Sequence, residues 1–178
     1  MRYQTIHITG ASGAGTTTLA KAICARYGHT HLDSDDFFWE DTDPPYTRKR
    51  AMEDRQTLLS QALGSAERWV LSGSLTGWGD LFIPLFELVV YVHTPTDIRL
   101  QRLHERELRQ FGARILPDGD MFEEHKKFLE WASQYDDGPT DMRSAAHHRE
   151  WLTQIPCPIL RLDGTAPAEE NLERVVAD

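Results

Sequence analysis

Residues 5–19 read Thr-Ile-His-Ile-Thr-Gly-Ala-Ser-Gly-Ala-Gly-Thr-Thr-Thr-Leu. Gly10, Gly15 and Thr17 fall in register with the pattern G-x-x-x-x-G-K-[ST], in which a strand, a glycine-rich turn and a helix cradle phosphate groups. The lysine of that pattern is absent, because Thr16 stands in its place. The stretch therefore predicts a phosphate-binding loop that keeps its backbone amides and its helix N-terminus but lacks the usual ammonium group.

The residues on either side of this phosphate loop (Gly10–Thr17) favour a nucleotide site over a plain glycine-rich turn. Ile6 and Ile8 lie in a short β-like run before it, and apolar residues recur at helical spacing after it, up to a possible left-handed cap at Gly28. The hydroxyl of Thr17 is the candidate Mg²⁺ ligand. The pattern predicts the following nucleotide-binding residues: Gly10, Ser12, Gly13, Ala14, Gly15, Thr16, Thr17 and Thr18.

Composition and charge narrow the class of protein. A length of 178 residues suits one domain, and a net charge of −9 argues against a sequence-independent nucleic-acid binder. No apolar run approaches the length of a membrane span. The isolated Cys24 and Cys157 favour a reducing cytoplasm. Eight histidines lack the spacing of common metal sites, which makes a histidine metal site the less favoured interpretation.

Strand-like runs alternate with helical patterns, which predicts a parallel sheet covered by helices on both faces. The predicted strands are Tyr3–Thr9, Thr30–Asp33, Trp69–Gly73, Leu88–His93 and Ile159–Leu162. The predicted helices are Thr16–Tyr27, Arg48–Ala66, Pro95–Phe111, Met121–Tyr135, Met142–Thr153 and Ala168–Ala177.

The segment between the fourth and fifth predicted strands is much longer than a single crossover helix requires. Turn-forming residues at 117–119 and 136–139 divide it into three helical pieces. An insertion at the edge of a nucleotide site favours a mobile lid, and the alternative is an extra helical layer without motion.

Three carboxylates follow the second predicted strand, at Asp33, Asp35 and Asp36. Ligands of parallel α/β sheets bind outside the carboxyl ends of the strands, so this cluster is well placed for catalysis. We predict that Asp33 and Asp35 hold Mg²⁺ or accept a proton from a substrate hydroxyl, with Asp35 as a metal ligand. The alternative is a solvated acidic turn that caps the next segment.

Aromatic and basic residues come next, at Phe37–Trp39 and Arg48–Arg50. They suit a planar, anionic acceptor molecule, and they equally suit the packing of a covering helix. The sequence leaves both interpretations open.

Four arginines recur at spacings of three, four and three in the first lid helix: Arg99, Arg102, Arg106 and Arg109. This periodicity predicts one basic helix face. Glu105 can pair with Arg109, which leaves Arg102 and Arg106 free to stabilise a transferring phosphoryl group in place of the missing lysine. The alternative is a solvated basic face.

The segments Gly10–Thr18, His31–Trp39 and Trp69–Ser74 resemble the nucleoside-monophosphate-kinase and shikimate-kinase-like group of P-loop proteins. The resemblance is strongest to a bacterial set related to adenylate kinase, whose members carry Thr in place of the loop lysine. It implies an α/β fold of three layers with a five-stranded parallel sheet in the order 2-3-1-4-5. It also implies ATP in the loop, with the adenine near Gly164.

This resemblance implies a single domain over residues 1–178, with an acceptor-binding region at 34–66 and a lid at 95–153. The expected activity is that of an ATP-dependent small-molecule kinase similar to nucleoside-monophosphate kinases, using Mg²⁺. The expected partners are a nucleotide and a small acceptor, without nucleic acid or membrane, in a monomer or homodimer. Two alternatives stay open, a non-catalytic ATP-binding sensor and a nucleotide hydrolase.

Overall fold

A computed structural model describes residues 1–177 and contains one parallel sheet of five strands. The strands are β1 (Thr5–Gly10), β2 (Thr30–Asp33), β3 (Trp69–Ser72), β4 (Leu88–His93) and β5 (Ile159–Asp163). Their order across the sheet is β2-β3-β1-β4-β5, as predicted.

Seven helices cover the sheet or extend from its carboxyl edge within the described chain. They are α1 (Thr16–Tyr27), α2 (Ser34–Phe38), α3 (Met52–Gly64), α4 (Thr96–Phe111), α5 (Phe122–Ser133), α6 (Ala145–Leu152) and α7 (Ala168–Ala177). Two 3-10 helices, at Asp80–Leu85 and Gly112–Ile115, complete the secondary structure.

Two predicted helices begin later than their apolar patterns suggest. The helix predicted from Arg48 starts at Met52, because the chain before it pairs with residues 38–40 in an antiparallel bridge between Trp39 and Lys49. The helix predicted from Met142 starts at Ala145, where the Ser144 side chain accepts a hydrogen bond from the His147 amide at 3.0 Å. Local hydrogen bonding thus decides where each helix begins.

The core lies on both faces of the sheet, so the domain has three layers. Ile6 and Ile8 of β1 pack with Ile23 of α1 in one apolar cluster. On the opposite face, Leu71 of β3 packs with Leu59 of α3 in a second cluster. Successive strand residues point to opposite faces, and both faces are covered, which explains why β3 and β4 are nearly continuous apolar runs.

The carboxyl ends of the inner strands meet at one edge. Register places Asp33, the last residue of β2, opposite Ser72, the last residue of β3, and Ser72 also lies opposite Ile8 of β1. This edge brings the acidic segment beside the phosphate loop, as expected for a parallel sheet. Among residues 1–177, no helix has both the length and the apolar character that crossing a membrane requires.

Candidate nucleotide site

The phosphate loop connects β1 to α1 through two glycines in left-handed conformations. Gly13 has a φ of 81° and Gly15, the N-cap of α1, has a φ of 102°. A Cβ atom on Gly13 would also lie 2.7 Å from the carbonyl oxygen of Arg99. These positions therefore require glycine, and the turn leads directly into the positive end of the α1 dipole.

A buried arginine on α4 holds the loop from outside. The Arg99 guanidinium donates to the carbonyl oxygens of Ser12 at 3.3 Å and Thr94 at 3.0 Å, and to three further oxygens on Thr96, Ala132 and Asp136. A guanidinium has five N–H donors, so all of them are used. The prediction that Arg99 belongs to an anion-facing basic stripe is wrong, because its side chain is fully buried and satisfied by the protein.

The other arginines of the predicted stripe have separate surroundings. Arg102 donates to the carbonyl oxygen of Gly164 at 3.0 Å, beside the phosphate loop. Arg106 lines the main cavity and lies 3.9 Å from Glu107, whereas Arg109 is exposed. The helix therefore presents Arg102 and Arg106 to different parts of the site rather than as one continuous face.

Gly164 packs against the phosphate loop, although it follows β5. A Cβ atom there would lie 2.5 Å from the carbonyl oxygen of Ala14 and 2.0 Å from Oγ1 of Thr94. Thr94 in turn donates that hydroxyl to the same Ala14 oxygen at 3.0 Å. The predicted loop residue Thr18, in contrast, is exposed on the first turn of α1.

The Thr17 hydroxyl meets a carboxylate at the ends of the strands. Its Oγ1 donates to Oδ2 of Asp33 at 3.0 Å, and the Ser72 hydroxyl donates to the same oxygen at 3.1 Å. The other oxygen of Asp33 accepts the amide of Asp35 at 3.1 Å and so caps α2. The carboxylate in contact with Thr17 is therefore that of Asp33. Asp35, which was predicted as a metal ligand, lies two residues later in the chain.

This group of oxygens fits a magnesium ion that is also held by phosphate. Mg²⁺ prefers hard oxygen ligands and usually binds through one or two protein groups together with substrate phosphates and water. Thr17 and Asp33 provide a hydroxyl and a carboxylate at the mouth of the phosphate loop. Within residues 1–177, no group of three or more His, Cys, Asp or Glu side chains could hold a metal by itself.

Asp35 faces a different environment from Asp33. Its side chain lines the cavity and is accessible to solvent there, while the surrounding protein partly desolvates it. This desolvation and the nearby Asp33 carboxylate raise the pKa of Asp35, against the opposing effects of Arg143 and Arg106. A carboxylate with a raised pKa is a better proton acceptor than an ordinary aspartate.

One cavity of about 660 Å³ runs along the carboxyl edge of the sheet. We define its phosphate end by Ser12, Gly13, Thr16, Thr17 and Asp33. We define its acceptor end by Phe38, Trp39, Tyr46 and Trp78. Asp35 lines the same cavity. Because residues of both ends line one cavity, the space is continuous from the phosphate loop to an aromatic pocket.

The aromatic rings of the acceptor end contact one another as well as the cavity. Ring centroids are 4.9 Å apart for Phe38 and Trp39, and 6.1 Å apart for Trp39 and Tyr46. The guanidinium of Arg55 lies 3.9 Å from the centroid of Phe38. These side chains pack against one another, as one of the two interpretations of the sequence expects, and several of them also line the cavity. The interpretation that they bind an acceptor stays a prediction.

Helices α4 and α5 contribute a buried acid and imidazole to the same cavity. Nδ1 of His125 lies 2.5 Å from a carboxylate oxygen of Glu107, and both residues line the cavity. Nε2 of His125 lies 3.0 Å from Nδ1 of His104 on α4. The sequence analysis missed this group, because α4 and α5 bring it together without any shared spacing.

Arg143 is a second functional candidate that the sequence did not reveal. It precedes α6, lines the main cavity and donates from Nη2 to the carbonyl oxygen of Gly10 at 2.9 Å. Burial lowers the pKa of Arg143, against the opposing effects of Asp35, Tyr135 and Asp33. No motif marks this residue, because its contact with the loop joins positions far apart in the chain.

Comparison with known proteins agrees with this architecture. A family model described as an AAA domain matches residues 6–115. The uncharacterized protein YqaC of Bacillus subtilis (strain 168) is 43% identical over 171 residues, which cover 96% of this chain and 94% of that protein.

Solved structures of small kinases share the fold. A shikimate kinase from Bacteroides thetaiotaomicron matches with a TM-score of 0.60 and 17% identity, covering 98% of this chain and 97% of that one. A shikimate kinase from Acinetobacter baumannii in complex with shikimate matches with a TM-score of 0.54 and 18% identity, covering 98% and 92%. At this level of identity the likeness concerns the fold alone.

Proposed function

This chain belongs to the AAA domain family, and we propose on that basis and on the geometry of its site that it is an ATP-dependent small-molecule kinase. We further propose that its phosphate acceptor is a nucleoside monophosphate. The observation that supports this most directly is the single cavity that joins the phosphate loop to an aromatic pocket, with two aspartates along it.

The phosphate end binds the ATP phosphates through the loop amides and the N-terminus of α1. Thr17 and Asp33 hold Mg²⁺, which supplies charge neutralisation of the phosphates when bound. Gly164 borders the adenine site, and Arg102 fixes this border through its bond to the Gly164 carbonyl oxygen. Arg106 adds positive charge from the lid.

Asp35 accepts the proton when the acceptor is a hydroxyl or a monophosphate that still carries one. The acceptor oxygen forms a bond to the terminal phosphorus of ATP as the bond from that phosphorus to the bridging oxygen breaks and ADP leaves. A hydroxyl acceptor gives its proton to Asp35, whereas a phosphate acceptor that is already ionised needs only to be held in place. The raised pKa of Asp35 suits it to take a proton and return it to water.

The acceptor end favours a flat molecule that carries negative charge. Trp39 and Tyr46 provide aromatic surfaces on which a base can stack, and the buried Trp78 lies behind them in the cavity wall. Lys49, Lys127 and Arg106 line the same cavity and can bind a monophosphate. A compact polyhydroxy acceptor would leave most of this aromatic surface unused.

Thr16 favours a second candidate, an ATP-binding sensor without turnover. The loop at that position offers a hydroxyl where an ammonium would contact the phosphates, so affinity could be retained without efficient transfer. The two candidates make different predictions for the same assay.

The test measures ATP consumption by the purified protein with Mg²⁺, in the presence and absence of AMP, CMP, UMP, GMP and shikimate. We expect ADP to form only when a nucleoside monophosphate is present, together with the matching diphosphate. ATP binding in the micromolar to millimolar range, about −8 to −4 kcal/mol, should be detected by calorimetry.

Every other outcome of these measurements either indicates a different function or contradicts one part of the proposal. Phosphate released without any acceptor would indicate a hydrolase, and binding without turnover would support the sensor. Turnover with shikimate but with no nucleotide would contradict the proposed acceptor. The absence of both heat and a change in melting temperature at millimolar ATP would contradict nucleotide binding itself.

A further inference from the structure

Arg143 reaches the phosphate loop from a part of the chain that the loop motif does not include. Its Nη2 donates to the carbonyl oxygen of Gly10 at 2.9 Å. It lines the same cavity as Thr16 and Thr17, the residues at and after the missing lysine. A guanidinium is therefore already present at the phosphate end before any ligand binds.

The hydrogen bonding of this guanidinium is incomplete. Its Nε atom is buried and has no partner in the described structure. Within residues 1–177, no carboxylate lies close enough to form an ion pair with Arg143. A buried N–H donor without a partner is costly.

Arg99 shows what a structural arginine looks like in the same region. It is fully buried and uses every N–H donor on protein oxygens. Arg143 contacts the same loop but keeps donors available. The difference is the one expected between an arginine that supports the loop and an arginine that awaits an anion.

The other cations near the site are less well placed. Arg102 donates to Gly164 and does not line the cavity, and Arg106 lies on the lid beside Glu107. The electrostatic influence of Arg106 falls on Asp35 and Tyr46, toward the acceptor end. Among the arginines and lysines of residues 1–177, only Arg143 combines a direct bond to the phosphate loop with a place in the cavity wall.

We infer that Arg143 binds the terminal phosphate oxygens of ATP and supplies the positive charge that the loop lysine provides in related motifs. The part of this inference that concerns turnover rests on the proposed function. The part that concerns ATP binding does not depend on turnover, so binding and turnover can be tested separately.

The experiment compares wild type, Arg143→Gln, Arg143→Lys, Thr16→Lys and the double variant Arg143→Gln/Thr16→Lys. Arg149→Gln is the matched control, because Arg149 lies on α6 and lines a separate cavity of about 200 Å³. Calorimetry measures ATP affinity, thermal unfolding measures integrity, and the acceptor assay measures turnover.

We expect Arg143→Gln to weaken ATP binding by about 10- to 100-fold, the range for losing hydrogen bonds to a charged group. Arg143→Lys should retain most of the affinity. Thr16→Lys should restore a large part of the affinity lost in Arg143→Gln and add little to wild type, since the two cations would serve the same phosphates. Arg149→Gln should bind ATP as wild type does.

Unchanged ATP affinity in a folded Arg143→Gln protein would overturn the inference, and so would independent effects of the changes at positions 16 and 143. If Arg143→Gln does not fold, an ATP affinity gain above tenfold in Thr16→Lys alone would overturn it. If wild type binds ATP without turnover, a selective loss in Arg143→Gln would still support the inference while the kinase proposal fails.

Discussion

The phosphate end of the cavity is built on a glycine-rich backbone turn, whereas the acceptor end is built from aromatic side chains. Bonds from Arg99 to Ser12 and from Thr94 to Ala14 fix the phosphate loop from behind. At the acceptor end, ring contacts hold Trp39 and Tyr46. One surface ion pair links this segment to the lid, between Arg114 and Asp43 at 2.8 Å.

Under the proposed function, this difference separates what is common to all nucleotides from what is specific to one acceptor. Phosphate groups are the same in every nucleotide, so a backbone cradle with buried supports can bind them. Acceptor identity depends on ring shape and charge, which only side chains can distinguish. Exposed ion pairs such as Arg114–Asp43 contribute little stability, so the acceptor end is free to adapt when a ligand binds.

Replacement of Asp35 has the largest expected effect on turnover. It tests whether the phosphate end and the acceptor end act together in one reaction. Replacement by Asn should lower turnover by about 10²- to 10⁴-fold with an acceptor that must lose a proton, and should change turnover little with a fully ionised monophosphate. Turnover of wild type should fall as the pH drops through the raised pKa of Asp35. Steady-state kinetics from pH 5 to 8 measure both effects.

Asp36→Asn is the matched control, because Asp36 lies outside the lining of the cavity. The Asp35→Asn protein should not be destabilised at pH 7. A carboxylate with a raised pKa in the folded state lowers stability above that pKa, so its removal relieves this cost. Equal losses of turnover in both variants would reject Asp35 as the base.

Asp33 should behave in the opposite way to Asp35 in stability, although only one residue separates them. Its oxygens accept hydrogen bonds from Thr17, Ser72 and the Asp35 amide, so Asp33→Asn should lower the free energy of unfolding by about 1–3 kcal/mol. Urea unfolding of both variants measures the difference. Equal free energies of unfolding for the Asp33→Asn and Asp35→Asn proteins would show that the hydrogen bonds of Asp33 stabilise the phosphate end less than their number implies.

Trp39 should give the smallest effect and one confined to the acceptor end. Trp39→Ala removes an aromatic wall of the pocket and should raise KM for the acceptor about 3- to 10-fold, in line with the energy of one ring pair. ATP affinity, measured by calorimetry on the same protein, should be unchanged and serves as the internal control. A parallel loss of ATP affinity would mean that the two ends are not independent.

The sequence allowed the phosphate end to be predicted largely because its geometry is local. The loop pattern, the bounds of α1 and the left-handed cap at Gly28 all follow from neighbouring residues. Strand order follows from the resemblance to known folds, and Asp33 falls beside Thr17 because parallel strands end at one edge.

The remaining features depend on contacts between distant segments. Helical periodicity placed Arg99 on one face with Arg102, but it could not show that Ala132 of α5 covers that face. Arg143 contacts Gly10 across most of the chain, so no local pattern marks it. The short helix α2 was missed because five residues are too few to show a helical period.

The tryptophans have an optical consequence. Of the five in the chain, Trp39, Trp78 and Trp131 line the main cavity. Trp78 is also buried in the core, as are Trp69 and Trp151, which do not line that cavity. Indole emission depends on the polarity and the quenchers around the ring, so the protein carries its own fluorophores at the place where a ligand arrives. Emission from Trp39 and Trp78 reports on the acceptor end and emission from Trp131 reports on the lid, so titration with each ligand can be followed without a label.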